Sequence, residues 1–161
     1  MGEKCGSRLA IVEAVIEANR KQRDIIVERM DHVLGGLSEK VVGVLGLSFK
    51  PNTDDVRESP AIEICRRLMA AGASIRAYDP VAIPSAKRLL NGDRIVYCCD
   101  AYEAASDVDA ILLATEWNEF RNIDLEKIKS LMKVAVIFDT RNVFEPGKMQ
   151  ALGFRYFGTG R

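Results

Sequence analysis

With 161 residues, 48% of them hydrophobic, the chain can fill one good core, which suits one α/β domain with an appended element better than two domains. Lys plus Arg and Asp plus Glu both number 23, so no net field gathers the chain on nucleic acid or an anionic membrane, and any anion must meet a local set of donors. No apolar run approaches the roughly 18 to 20 residues that span a bilayer, and Met1 to Arg8 lack a signal peptide's apolar centre, so the expectation is a cytoplasmic protein.

The first predicted element is one long helix within residues 8–36. Leu9, Val12, Ile16, Ile26, Met30 and Leu34 recur at largely helical spacing, interrupted by the polar run Asn19-Arg20-Lys21-Gln22-Arg23. Such a helix would reach about 40 Å, too far for the small domain after it to cover. Its apolar stripe therefore needs a partner: a preceding domain, a second copy of the chain, or both. Gly35-Gly36 ends it.

Residues 38–161 change pattern to short apolar runs alternating with amphipathic stretches. That alternation predicts an α/β fold, a Rossmann-like parallel sheet of five to six strands flanked by helices. The strands are expected at 41–45, 74–78, 94–98, 110–114, 134–138 and, last and shortest, 155–157. Ser59 is placed to N-cap a helix with Pro60 at its first position, and Gly72 to close it in a left-handed turn. Further helices are expected at 83–90, 101–105 and 125–132. Cys5, Cys65, Cys98 and Cys99 form no C-x-x-C pair and the chain has one His, so reduced, packed thiols are expected and no metal site. Cys98 and Cys99, neighbours on a predicted strand, should point to opposite faces and not join in a disulfide.

Ligands of open α/β sheets bind outside the carboxyl ends of the strands. The first strand runs into a long loop holding Lys50 and Arg57, and the fifth into Asp139-Thr140-Arg141-Asn142. Lys50, Arg57 and Arg141 should thus approach one crevice, where a lysine, guanidinium forks and the free N–H groups of a helix start are what a diphosphate requires. The competing expectation is three solvated charges, with Asp54 and Asp55 neutralising Lys50 and Arg57. Asp79, ending the second strand, could hold a ribose hydroxyl or form a turn with Pro80. The first strand leads into Gly43-Val44-Leu45-Gly46-Leu47-Ser48, which lacks the G-x-G-x-x-G pattern, so dinucleotide binding in the ordinary manner is not expected of this domain.

The stretch Gly46-Leu47-Ser48-Phe49-Lys50-Pro51-Asn52-Thr53-Asp54-Asp55-Val56-Arg57-Glu58-Ser59-Pro60 closely resembles the motif of the UDP-glucose/GDP-mannose dehydrogenase family. Ala77-Tyr78-Asp79-Pro80, Thr115-Glu116-Trp117-Asn118-Glu119-Phe120, Asp139-Thr140-Arg141-Asn142 and the ending Gly153 to Arg161 follow in the family's order. Val15 to Arg23 resembles the central helix that joins the two domains of these enzymes and forms their dimer core. The resemblance implies the UDP-binding C-terminal domain of an NAD-dependent oxidoreductase that converts a sugar C6 alcohol to a carboxylate in two steps. NAD would be held mainly by a separate N-terminal domain. By motif position it implies Phe49, Lys50 and Arg141 as contacts of UDP-glucose or UDP-glucuronate, Arg57 as a contact of NAD across the interdomain cleft, and a homodimer formed through the long helix.

The family's nucleophile lies in a G-F-G-G-S-C-F-P-K-D motif that this sequence does not contain. No cysteine here is assigned catalysis, and the chain is expected to be an inactive piece of a longer enzyme, with residues 1–7 including cloning remnants. The Asn52-Thr53-Asp54-Asp55 wording, Thr115-Glu116-Trp117 and Gly158-Thr159-Gly160-Arg161 favour UDP-glucose as substrate. The alternatives are the same domain of a UDP-N-acetylmannosamine or GDP-mannose dehydrogenase, or a stand-alone nucleotide-binding or dimerisation module.

Overall fold

The computed structural model describes residues 10–160; Cys5, Leu9, the expected helix start at Arg8 and the closing Arg161 lie outside them. A 25-residue helix α1 (Ala10–Leu34) leads into β1 (Val41–Leu45), α2 (Pro60–Ala70), β2 (Ser74–Tyr78), α3 (Ile83–Ala86) and β3 (Ile95–Tyr97). The second half runs α4 (Ala101–Ala105), β4 (Ala110–Leu113), α5 (Asn118–Arg121), α6 (Leu125–Leu131), β5 (Val136–Asp139), α7 (Pro146–Ala151) and β6 (Arg155–Gly158). All strand pairs are parallel and the six-stranded order is β3-β2-β1-β4-β5-β6, the doubly wound Rossmann arrangement.

Alternation along the central strands divides the core in two. Val42, Val44, Ile75, Leu112, Val136 and Phe138 pack with Ile64 and Leu68 of α2 and Met30 of α1. Ile111, Leu113 and Ile137 face the other way, against Ala104 of α4, Phe120 of α5, Ile128 of α6 and Met149 of α7. Both faces of a parallel sheet are thereby covered, as its apolar strands demand.

Local signals fix the helix ends. Asp100 and Asp124 cap α4 and α6 by accepting from the Glu103 and Lys127 N–H groups at 2.7 and 3.0 Å. Gly72, at φ +96°, ends α2 with Ala73 N–H donating to the Leu68 carbonyl at 3.0 Å and Gly72 N–H to Met69 at 3.0 Å, a Schellman closure. The expected side-chain cap of Ser59 is not formed. Its hydroxyl instead donates to the Leu47 carbonyl at 2.8 Å, because that buried acceptor is within reach while the α2 N-terminus is already fixed by Pro60.

The second half of α1 is docked on the α/β domain. Met30 is fully buried, Arg29 lies 4.9 Å from the ring centre of Phe157, and Asp24 pairs with Arg67 of α2. Val12, Val15, Ile16 and Ile25 are exposed, Ile16 to 64%. Among the described residues no helix is long and apolar enough to cross a membrane.

Candidate functional site at the carboxyl rim

Because β1, β4 and β5 are consecutive neighbours and parallel, their carboxyl ends share one edge. With roughly 4.8 Å between adjacent strands, the Lys50-bearing loop after β1 and the Arg141-bearing loop after β5 start about 10 Å apart. The chain leaves β1 towards β2 on one side, and β4 lies on the other. The switch point between β1 and β4 is where such sheets receive ligands.

That crevice is occupied by the protein itself. Gly46 has φ +93°, and a Cβ there would sit 2.5 Å from Thr115 Cβ and 2.7 Å from Thr115 N. Thr115 Oγ1 donates to the Ser48 carbonyl at 2.7 Å. The Leu47 and Ser48 N–H groups donate to Asp79 Oδ2 at 2.7 and 3.0 Å, and the Ser48 hydroxyl does so at 3.1 Å. In a dinucleotide crevice the first βα turn offers its amides to a pyrophosphate and the acid ending the second strand takes a ribose hydroxyl. Here those amides and that acid satisfy each other, and α2 begins only at Pro60. The chain's residues do not fit NAD in the ordinary Rossmann manner.

The ribose role weighed for Asp79 is thereby overturned. The side chain is 1% exposed, and Oδ1 accepts from the Val81 and Ala82 N–H groups at 3.0 and 2.8 Å, so the turn assignment holds. Oδ2 takes a further donor from across the crevice, Trp117 Nε1 at 3.2 Å. Asp139 is built alike at the end of β5: Oδ1 accepts from Arg141 N–H at 3.0 Å, and Oδ2 from Val143 N–H, Phe144 N–H and the Tyr156 hydroxyl at 2.7, 3.0 and 2.8 Å.

The three cations differ. Lys50 is exposed on a loop closed by Phe49 N–H donating to the Asp55 carbonyl at 2.8 Å, and has no ion-pair partner among the described residues. The Phe49 ring beside it is 52% exposed. Arg57 forks onto Asp55 through Nε and Nη2 at 2.9 and 2.7 Å, so the neutralisation considered for this residue does occur. That hydrogen bond holds the Asp55 carboxyl down at about 2 and raises the guanidinium. Arg141 is gripped by Glu116 through Nε and, at 2.6 Å, through Nη2. The grip lowers Glu116 and raises Arg141, and leaves the Nη1 end of the guanidinium for another anion.

Two hollows open beside this rim. One lies between α1 and the ends of β5 and β6, lined by Ile25, Arg29, Thr140, Phe157 and Thr159 among others. The second, between the β1–α2 loop and α3, is lined by Thr53, Asp55, Arg57, Ser85 and Arg88 among others. Phe49, Lys50 and Arg141 line neither. Of the three cations expected at one crevice only Arg57 lines either hollow, and Lys50 lies near enough to act on the Asp55 carboxyl beside it.

Sequence reasoning did not find Glu116 as the partner of Arg141, nor Trp117, Asp79 and Asp139 as organisers of the loops. A usable signal was present: an Asp ending an apolar strand ahead of a loop that must be folded back. The described cysteines take no part. Cys65 and Cys98 are buried and free, with burial pushing them up to about 12 and about 11. Cys99 is exposed and donates to Glu103 Oε2 at 2.6 Å. The pair lies just beyond β3 rather than on it, with opposite exposures as expected.

A model of the UDP-glucose/GDP-mannose dehydrogenase family, UDP binding domain, matches residues 43–146. The UDP-glucose 6-dehydrogenase TuaD of Bacillus subtilis is 44% identical over 161 residues, which are all of this chain and 35% of the relative. A UDP-glucose dehydrogenase structure from Pyrobaculum islandicum superimposes with TM-score 0.80 at 36% identity, covering 98% of this chain and 34% of that one. A UDP-D-ManNAc dehydrogenase from Pyrococcus horikoshii shares the fold, with TM-score 0.81 at 23% identity over 100% of this chain and 36% of that one. The chain spans about a third of the length of these proteins.

Proposed function

Since the chain belongs to the UDP-glucose/GDP-mannose dehydrogenase family, we propose that it is the UDP-binding portion of a UDP-glucose 6-dehydrogenase, an NAD-dependent enzyme that oxidises UDP-glucose to UDP-glucuronate. Residues 38–161 grip the nucleotide end of the substrate, and the segment 8–36, whose described helix is α1, links and dimerises. Phe49, Lys50 and Arg141 contact the sugar nucleotide. Arg57, with its side chain 86% exposed, reaches towards NAD held by a separate domain. By itself the chain carries out no oxidation. The choice of UDP-glucose is supported by relatives named for it at 44% and 36% identity.

The observation that carries this reading is that β1, β4 and β5 are parallel neighbours, so the loop bearing Lys50 and the loop bearing the Glu116-oriented Arg141 guanidinium leave from the same edge of the sheet. The closed switch point supports it, because the Leu47 and Ser48 amides and the Asp79 carboxylate that would hold a dinucleotide there bind each other instead. Calorimetric titration with UDP tests it. Weak binding is expected, diminished by Lys50→Ala and by Arg141→Ala; equal affinity in both variants and the parent would refute the assignment. GDP in the same titration separates a GDP-mannose-type site from a uridine site. The bare half of α1 supports the dimer, and a strictly monomeric chain across a concentration series in light scattering would argue against it.

A further inference from the structure

The Asp79 carboxylate is the most heavily shared acceptor among the described residues of this rim, and the loops it joins are the ones that carry the proposed nucleotide contacts. Oδ2 takes the Leu47 and Ser48 N–H groups and the Ser48 hydroxyl, and Oδ1 takes Val81 and Ala82. Trp117 Nε1 spans the crevice to reach Asp79 Oδ2 at 3.2 Å and Ser48 Oγ at 3.1 Å. Ser48 is saturated: its N–H and hydroxyl go to Asp79 and its carbonyl accepts from Thr115. Phe49 and Lys50 follow it directly. On the far side Trp117 is preceded in the chain by Glu116, the residue that grips Arg141.

We propose that Asp79 is a positioning residue for nucleotide binding, setting Lys50 through Ser48 and Arg141 through Trp117 and Glu116, so that the two cations act as one clamp. The proposal rests on the assignment of Lys50 and Arg141 to the UDP-sugar. Two features distinguish this from ordinary turn formation. A turn needs only Oδ1, which is where Val81 and Ala82 bind. The second oxygen is spent on residues 31 and 38 positions away in sequence, across strands β2, β1 and β4. A buried carboxylate taking that many donors also has one rotamer available to it, so what it holds is held without slack.

Asp79→Asn is the discriminating variant. It preserves shape but replaces one oxygen by an NH2 group, and either amide orientation sets that NH2 against two backbone N–H donors. UDP titration is run on the parent, Lys50→Ala, Asp79→Asn and the double variant, with far-UV circular dichroism confirming the fold. Asp79→Asn is expected to weaken binding by about 10-fold. In its background Lys50→Ala should cost less than about 2-fold, since a lysine no longer held in place has little left to lose. A purely structural role would leave the Lys50→Ala factor intact in both backgrounds. That result, or an unchanged Kd in folded Asp79→Asn, overturns the proposal alone.

If Lys50→Ala and Arg141→Ala leave the parent's Kd unchanged, both the rim assignment and this proposal fall. Trp117→Phe provides a second route should Asp79→Asn not fold, because it removes the spanning donor and keeps the ring bulk. Its expected result is a raised Kd together with a shrunken Arg141→Ala effect. An unaltered Kd in that variant would equally overturn the proposal.

Discussion

Gly46→Ala tests the closed crevice at its tightest point. The backbone at φ +93° is open to glycine and costs an L-residue about 1 to 2 kcal/mol. The added methyl would lie 2.5 Å from Thr115 Cβ and 2.7 Å from its backbone nitrogen. The nitrogen is main chain just after β4 and the Cβ is fixed in place by that backbone, so no rotamer change relieves the contact. Relief requires that the β1 and β4 ends part, an overpacking cost of about 1 to 3 kcal/mol. The two terms together give about 2 to 5 kcal/mol, and with a urea slope of about 2 kcal/mol per molar the unfolding midpoint should fall by about 1 to 2.5 M.

Gly147→Ala is the internal control. Nothing lies within 4 Å of its would-be Cβ and its φ is ordinary, and it sits inside α7. Alanine there should be neutral or stabilise by up to about 1 kcal/mol. Urea unfolding followed by tryptophan fluorescence, with Trp117 at the crevice, measures both variants. A Gly46→Ala midpoint within about 0.3 M of the parent's would refute the account of a crevice closed by backbone contact.

Met30→Ala should destabilise by about 2 to 5 kcal/mol through loss of a fully buried side chain, whereas Ile16→Ala, at a 64% exposed position, should stay within about 0.5 kcal/mol in dilute monomer; urea unfolding decides both. Glu116 is held below its ordinary value by Arg141, so the stability it contributes is complete above pH 4.5 and is lost as pH falls through the lowered value. Glu116→Gln should therefore flatten the acid limb of stability against pH, read from denaturation at successive pH values. Under native conditions iodoacetamide should label Cys99 and spare Cys65 and Cys98, since the first is exposed and the others are buried; peptide mass spectrometry reports the sites, and labelling of Cys65 before unfolding would contradict the packing.

The sheet was legible where burial is two-sided. Residues 41–45 are β1 as expected, an apolar run buried along both faces, and residues 74–78 are β2 as expected, where buried Ile75 and Ala77 alternate with half-buried Ser74, Arg76 and Tyr78. β5 begins two residues later than the expected 134–138 and ends one later: pairing begins at Val136 opposite Arg155, and Val134 is 46% exposed. Hydrophobicity marks the run, while the partner strand decides where pairing starts. α5 and α7, of four and six residues, are too short for periodicity to register, and the helix expected at 83–90 is regular only to Ala86.

The rim was legible in part. The α/β alternation predicts a parallel sheet, and with it that the Lys50 and Arg141 loops leave from one edge, whereas strand order is not fixed by alternation. The pairing of Arg141 with Glu116 could not be anticipated, because it joins residues 25 apart whose meeting depends on β4 and β5 being neighbours. Asp79 was ambiguous for a related reason: an acid ending β2 faces the crevice in either role, and only the placement of Leu47, Ser48 and Trp117 decides between them.

The meeting of Gly46 and Thr115 bears on redesign of this sheet. An engineer wishing to seat an adenine dinucleotide at its centre could not succeed by grafting a glycine-rich turn alone. Thr115 would have to shrink, the Trp117 indole would need another acceptor, and the carboxylate that ends β2 would have to be weaned from two amides before it could greet a sugar. The scaffold is thus specialised against the guest its outline advertises.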